Sequence, residues 1–169
     1  MHEYTHRALQ DLRSLQKKIV MNISFCLMTA LIIFIIGVEA TGETRLCHIS
    51  GMLLHYFLLA SFAWMLVDGM HLFHSIVIVF PSGEYPWSHY CVVGYIVPLV
   101  IVALTAVTHK GRYNTEELCW LSSSNGSIYF FTVPITLVIT INCYYLWRIM
   151  RVITKMSGKF LTRVSEKNL

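Results

Sequence analysis

Four apolar runs, at 19–38, 47–80, 90–107 and 127–150, alternate with polar segments along the chain. About 20 apolar residues in a helix cross a hydrocarbon core of about 30 Å, so each run predicts a transmembrane helix. The expected fold is all-α, a polytopic membrane helix bundle. The run at 47–80 is the longest, and as a helix it would reach roughly 50 Å at about 1.5 Å per residue. Such a helix must tilt or protrude. Asp68 is its only carboxylate. At about 100° per residue, Ser61, Trp64, Asp68, His71 and Ser75 fall within about 80° of one another, and His48 and His55 point the opposite way. An ionisable group in a membrane helix faces a bundle interior or a wet cavity, because lipid cannot solvate it. Neighbouring helices are therefore expected on the Asp68 side.

The breaks between runs carry turn chemistry. Thr41-Gly42 ends the first, and PSGEYPWS at 81–88 separates the second from the third. Gly94 and Pro98 interrupt the third run and Pro134 the fourth, where neighbouring helices can satisfy the freed carbonyls. These prolines are expected to distort their helices. Composition agrees: the chain is 56% hydrophobic and 13% charged, and soluble domains carry roughly twice that charge. The net charge of +4 matters through its placement and gives no reason to expect nucleic acid. Four Lys and Arg lie in 1–18 and six lie from Arg148 onward, against three in the loops between. Basic loops stay in the cytoplasm, so the segment 1–18 and the basic tail 151–169 are both expected inside. The loops at 39–46 and 108–126 then face outward.

That topology sorts the five cysteines. Cys26 and Cys143 lie within runs, and Cys91 lies at the cytoplasmic end of the third. Only Cys47 and Cys119 reach the oxidising side, so a disulfide is expected between them, with two free thiols as the alternative. Asn125-Gly126-Ser127 is a glycosylation sequon on the same side, hard against the fourth run. No enzyme constellation emerges. His71 and His74 have metal-compatible spacing, but no adjacent Glu completes a metalloprotease motif. Ser61 and Ser75 have no positioned base. No metal or cofactor is expected.

Several motifs together resemble one family. HYFLLASFAWMLVDGMHLF, residues 55–73, closely resembles the third transmembrane helix of adhesion G-protein-coupled receptors, within the secretin-like seven-transmembrane superfamily. ELCWLS at 117–122 looks like their second extracellular loop, GYIVP at 94–98 like their helix four, and LRSLQKKIVMN at 12–22 like the first intracellular loop entering helix two. The fourth run, with Pro134 and Asn142, is similar to helix five. The chain is thus expected to be a fragment covering helices two to five, lying in the plasma membrane.

The resemblance implies roles. The bridge from Cys47 to Cys119 would tie the outer loop to helix three, with Trp120 closing the outer face. Phe62, Trp64 and Met65 would line or relay from the cavity that receives a tethered peptide agonist; ordinary packing is the alternative. Asp68 stands where the family usually has Glu, with Asn22 as a candidate partner and His71 one turn away. Phe73 replaces the family's Tyr and lacks its hydroxyl. Arg148, Arg151, Lys155 and Lys159 form a basic face for anionic membrane lipid or for a heterotrimeric G protein. The full receptor would carry the signal to that G protein by helix rearrangement, and the fragment alone is expected not to signal. A self-contained four-span structural or adaptor protein is the alternative.

Overall fold

In the computed structural model, which describes residues 2–39, 44–77, 86–108 and 128–167, the described parts of the four runs lie in helices. Helix α1 runs His2–Glu39 and α2 runs Thr44–Val77. The third span joins α3 (Trp87–Cys91), a π-helical stretch (Val92–Ile96) and α4 (Val97–Thr108). Helix α5 runs Tyr129–Lys167. Among the described residues, Arg13–Val38, Arg45–Val77, Trp87–Thr108 and Tyr129–Lys159 are long and apolar enough to cross a membrane. Helix α1 begins well before the first apolar run. Between residues 2 and 18 there is no Gly or Pro, and Ala, Leu, Gln, Lys and Arg favour helix. Likewise α5 continues through the basic segment to Lys167.

Helix α2 is the hub, packing against α1, the third span and α5. Contacts at two levels fix the directions. Ile19 clusters with Trp64 and Val67, while Phe34 and Val38 lie beside Ser50 and Leu54, so α1 runs antiparallel to α2. On the other side His55 meets Phe131 at 5.8 Å and Phe73 meets Tyr145 at 5.0 Å, so α5 runs parallel to α2. Being enclosed on three sides, α2 buries residues around most of its circumference: His55, Ala60, Ser61, Ala63, Trp64, Val67 and His71. The expectation of one polar face toward neighbours was too narrow. His55, which the helical wheel turns away from Asp68, is fully buried against α5.

Apolar side chains gain little by leaving lipid for each other, so membrane helices associate through close packing and need small residues at their seams. Gly51, Ala60, Ala63 and Gly94 are buried at such places. At Gly94 an added Cβ would overlap the indole of Trp64. The π-helical stretch serves the same contact. Tyr90, Gly94, Pro98 and Val102 are all buried, at steps of four residues. On a regular helix each such step gains about 40° of rotation. The wider π turn takes rotation back and keeps these residues toward the bundle. It also lies just before Pro98, whose ring would otherwise crowd the carbonyl of residue 94.

The hydroxyls in the spans bond to their own helix. Ser61 donates to the Leu58 carbonyl at 2.7 Å, and Thr105 to Ile101, Thr136 to Thr132 and Thr140 to Thr136 at 2.8 Å each. Such bonds let a hydroxyl face lipid without an orphaned donor.

The two glycines Gly94 and Gly158 predict opposite outcomes in thermal unfolding of detergent-solubilised protein. Gly94→Leu drives a side chain into a buried indole and is expected to cost about 1–3 kcal/mol. Gly158→Ala adds a Cβ in open space and is expected to stabilise α5 by about 0.5–1 kcal/mol.

Candidate functional site

Toward the Cys47 end of the bundle, α1 and α2 flank a half-open cavity of about 500 Å³. Leu27, Ala30, Leu31 and Phe34 line it from α1, and Ser50, Leu54 and Leu58 from α2. Small residues at Ala30 and Gly37 keep α1 from filling the space. Its size falls within the range of small-ligand sites, about 300–1,000 Å³. The lining is apolar except for the hydroxyl of Ser50, so its occupant would be an apolar group rather than a charged one.

Toward the other end, α1, α2 and the third span meet at Trp64. This residue is fully buried, its ring 5.6 Å from Trp87 and 5.2 Å edge-on to Tyr95. Ile19, Cys26, Ala60, Val67 and Tyr90 complete the cluster. A polar strand of contacts runs beside it. The Tyr95 hydroxyl donates to Asn22 Oδ1, Asn22 Nδ2 donates to the Lys18 carbonyl at 2.7 Å, and Lys18 Nζ lies 5.7 Å from the Trp87 ring centroid. Asn22 is therefore held by Tyr95 of the third span, and no bond joins it to Asp68 among the described residues.

The next residue along from Asp68 marks the seam between α2 and α5, where Gly69 lets the Asn142 amide settle against the α2 backbone. Asp68 Oδ1 and Asn142 Oδ1 are both shielded and have no hydrogen-bond partner among the described residues. A buried acceptor without a donor costs about 1–3 kcal/mol, more if charged. His71, one turn further along, is buried, and Phe73 stacks on Tyr145 where the family's hydroxyl is missing.

The remaining expected residues divide clearly. Cys47 is buried and disulfide-bonded, while Cys26, Cys91 and Cys143 are free. Cys119, Trp120 and Asn125 lie outside the described residues. Phe62 and Met65 are half-buried, and neither they nor Trp64 line the cavity. Arg148, Arg151, Lys155 and Lys159 are all exposed along α5, with the Arg151 guanidinium 4.1 Å from the centre of the Trp147 ring. The sequence pattern did not single out Leu27, Leu31, Phe34, Leu54 or Leu58, because apolar residues in an apolar helix carry no signal of a void.

This arrangement, four membrane spans around a central helix bearing the 55–73 motif, agrees with the comparisons. The pattern described as 7 transmembrane receptor (Secretin family) matches residues 4–168. The chain belongs to the secretin family of seven-transmembrane receptors. It is 34% identical over 152 residues to adhesion G-protein coupled receptor D1 of Bos taurus, which covers 90% of this chain and 17% of that protein. It is 32% identical over 139 residues to adhesion G protein-coupled receptor L4 of Homo sapiens, 82% of this chain and 20% of that one. With receptor L1 of Mus musculus the identity is 34% over 138 residues, 82% and 9% respectively. The chain thus spans about a fifth or less of the length of these relatives. The resemblance read from the helix-three motif holds, and the chain is a multi-pass membrane protein of this family.

The bond from Tyr95 to Asn22 generates a prediction about stability. Tyr95→Phe and Asn22→Leu are each expected to lower unfolding stability by about 0.5–1.5 kcal/mol. The double variant should lose little more than either single one, since both delete the same bond.

Proposed function

We propose that these spans serve as helices two to five of an adhesion-type receptor in the plasma membrane. In that receptor a tethered peptide agonist docks from the outer side, and helix rearrangement presents an inner surface to a heterotrimeric G protein. The observation that carries the reading is the apolar cavity between α1 and α2 at the Cys47 end, which suits the apolar side chains of a peptide. A disulfide from Cys47 to Cys119 would hold the outer loop, with Trp120, over this end. Trp64, Met65 and Phe62 would act below the cavity, relaying its occupancy through α2. Asp68 and His71 lie further down the same helix, toward the end that would face the G protein. The exposed basic face of Arg148, Arg151, Lys155 and Lys159 would meet anionic headgroups, each worth about 1 kcal/mol near such a surface. A ligand can shift the equilibrium only by its difference in affinity between the two helix arrangements.

Three measurements test this. In a seven-helix receptor containing these spans, Leu54→Trp fills the cavity and is expected to lower the potency of an agonist peptide in G-protein nucleotide exchange about tenfold, equivalent to about 1.4 kcal/mol. Unchanged potency at normal surface level would overturn the assignment of the cavity. The four spans alone should give no peptide-dependent exchange, because the family's remaining helices complete the inner cleft. For orientation, a cysteine placed at Ser157 should react with a membrane-impermeant maleimide only after cells are permeabilised.

A further inference from the structure

We infer that His55 is a positioning residue that fastens the outer end of α5 to α2 by replacing the helix hydrogen bond that Pro134 cannot make. Pro134 lies inside α5, five residues after its start at Tyr129. It has no N–H, so the carbonyl four residues earlier, that of Phe130, loses its intrahelical donor. Lipid offers no water to take the place of that donor, so the carbonyl must find one within the protein. The structure supplies the donor from another helix. The His55 side chain of α2 hydrogen-bonds the backbone of Phe130. The ring is fully buried, and it lies edge-on to the next residue, Phe131, at 5.8 Å between centroids.

The chemistry explains the residue type. An apolar ring of the same size could keep the edge contact with Phe131 but would bring no N–H. A serine is too short to reach across a helix interface. An imidazole has both the reach and the donor, and when neutral it carries no charge to bury. The consequence is geometric. A backbone carbonyl can be met at only one place along α5, so the bond fixes the rise of α5 against α2 more narrowly than ring packing does. Farther along, the Asn142 amide against Gly69 and Tyr145 against Phe73 hold the same seam. His55 sets its upper end.

The test is a double-mutant cycle on the full chain in detergent micelles, read by the thermal unfolding midpoint. His55→Phe keeps a ring on Phe131 and removes the donor. Pro134→Ala returns an N–H to position 134. His55→Phe alone is expected to lower the midpoint by about 2–4 °C, the equivalent of one hydrogen bond in a chain of this size. In the Pro134→Ala background the same substitution should cost less than about 1 °C, because the Phe130 carbonyl regains its helical donor. His55→Asn, which keeps an amide donor, should recover at least half of the loss. Equal losses in both backgrounds, or no loss in either, would overturn the inference. If His55→Phe alone does not fold, recovery of folding by adding Pro134→Ala supports it, and failure of the double variant overturns it.

Discussion

Lipid tails are as apolar as leucine, so nothing drives these helices together except how closely they fit and which polar groups they share. That constraint falls hardest on α2, which must admit three neighbours at once. Each neighbour reaches it through a different device. The third span approaches at Gly94, where the missing side chain makes room for the Trp64 indole. Helix α5 approaches at Gly69, where the room is taken by an amide. Helix α1 lies against it through rings at one level and flanks the cavity with it at another. The contact at Trp64 is the least forgiving, because the ring is enclosed by Trp87, Tyr95 and the glycine backbone together.

Much of the fold was legible in the sequence, because hydropathy reports lipid contact directly. The four runs predicted four spans, and the structure has four within the described residues. Helix ends were less legible. Polar residues 2–18 read as flanking chain, yet they are helix, since hydropathy says where a helix leaves lipid and not where it stops; after Arg151 the three- and four-residue steps of the basic residues did point to a continuing helix. The wheel drawn for 47–80 found the side bearing Asp68 and Trp64 but could not reveal that His55 has a neighbour too. Phe131 is 76 positions away, and only tertiary packing brings it there. Asn22 shows a related limit. Its polarity marked it as a partner for something, while the identity of the partner, Tyr95, depended on a rotation within the third span. Gly94 and Pro98 were visible as interruptions; the π turn between them was not.

Polar atoms inside the spans, among the described residues, fall into three kinds. The hydroxyls of Ser61, Thr105, Thr136 and Thr140 bond their own helices and say nothing about neighbours. Tyr95 with Asn22, and His55 with Phe130, cross between helices and hold particular pairs in register. Asn142 presents a shielded oxygen at the α2–α5 seam beside Gly69, so the seam is held there by close fit. Adjacent parts of one interface thus differ in how they are held: by a side chain bonded to backbone at His55, by shape at Gly69.

Helix α5 is a single continuous rod of 39 residues, roughly 58 Å at about 1.5 Å per residue. Asn142, seated against Gly69 of α2, can serve as a pivot, and 25 residues separate it from Lys167. That is an arm of about 37 Å beyond the pivot. Tilting the rod by about 5° at Asn142 sweeps its far end through about 3 Å, while side chains at the pivot barely move. Length alone therefore magnifies a small adjustment between two packed helices into a displacement as large as an atom's diameter among the exposed arginines and lysines.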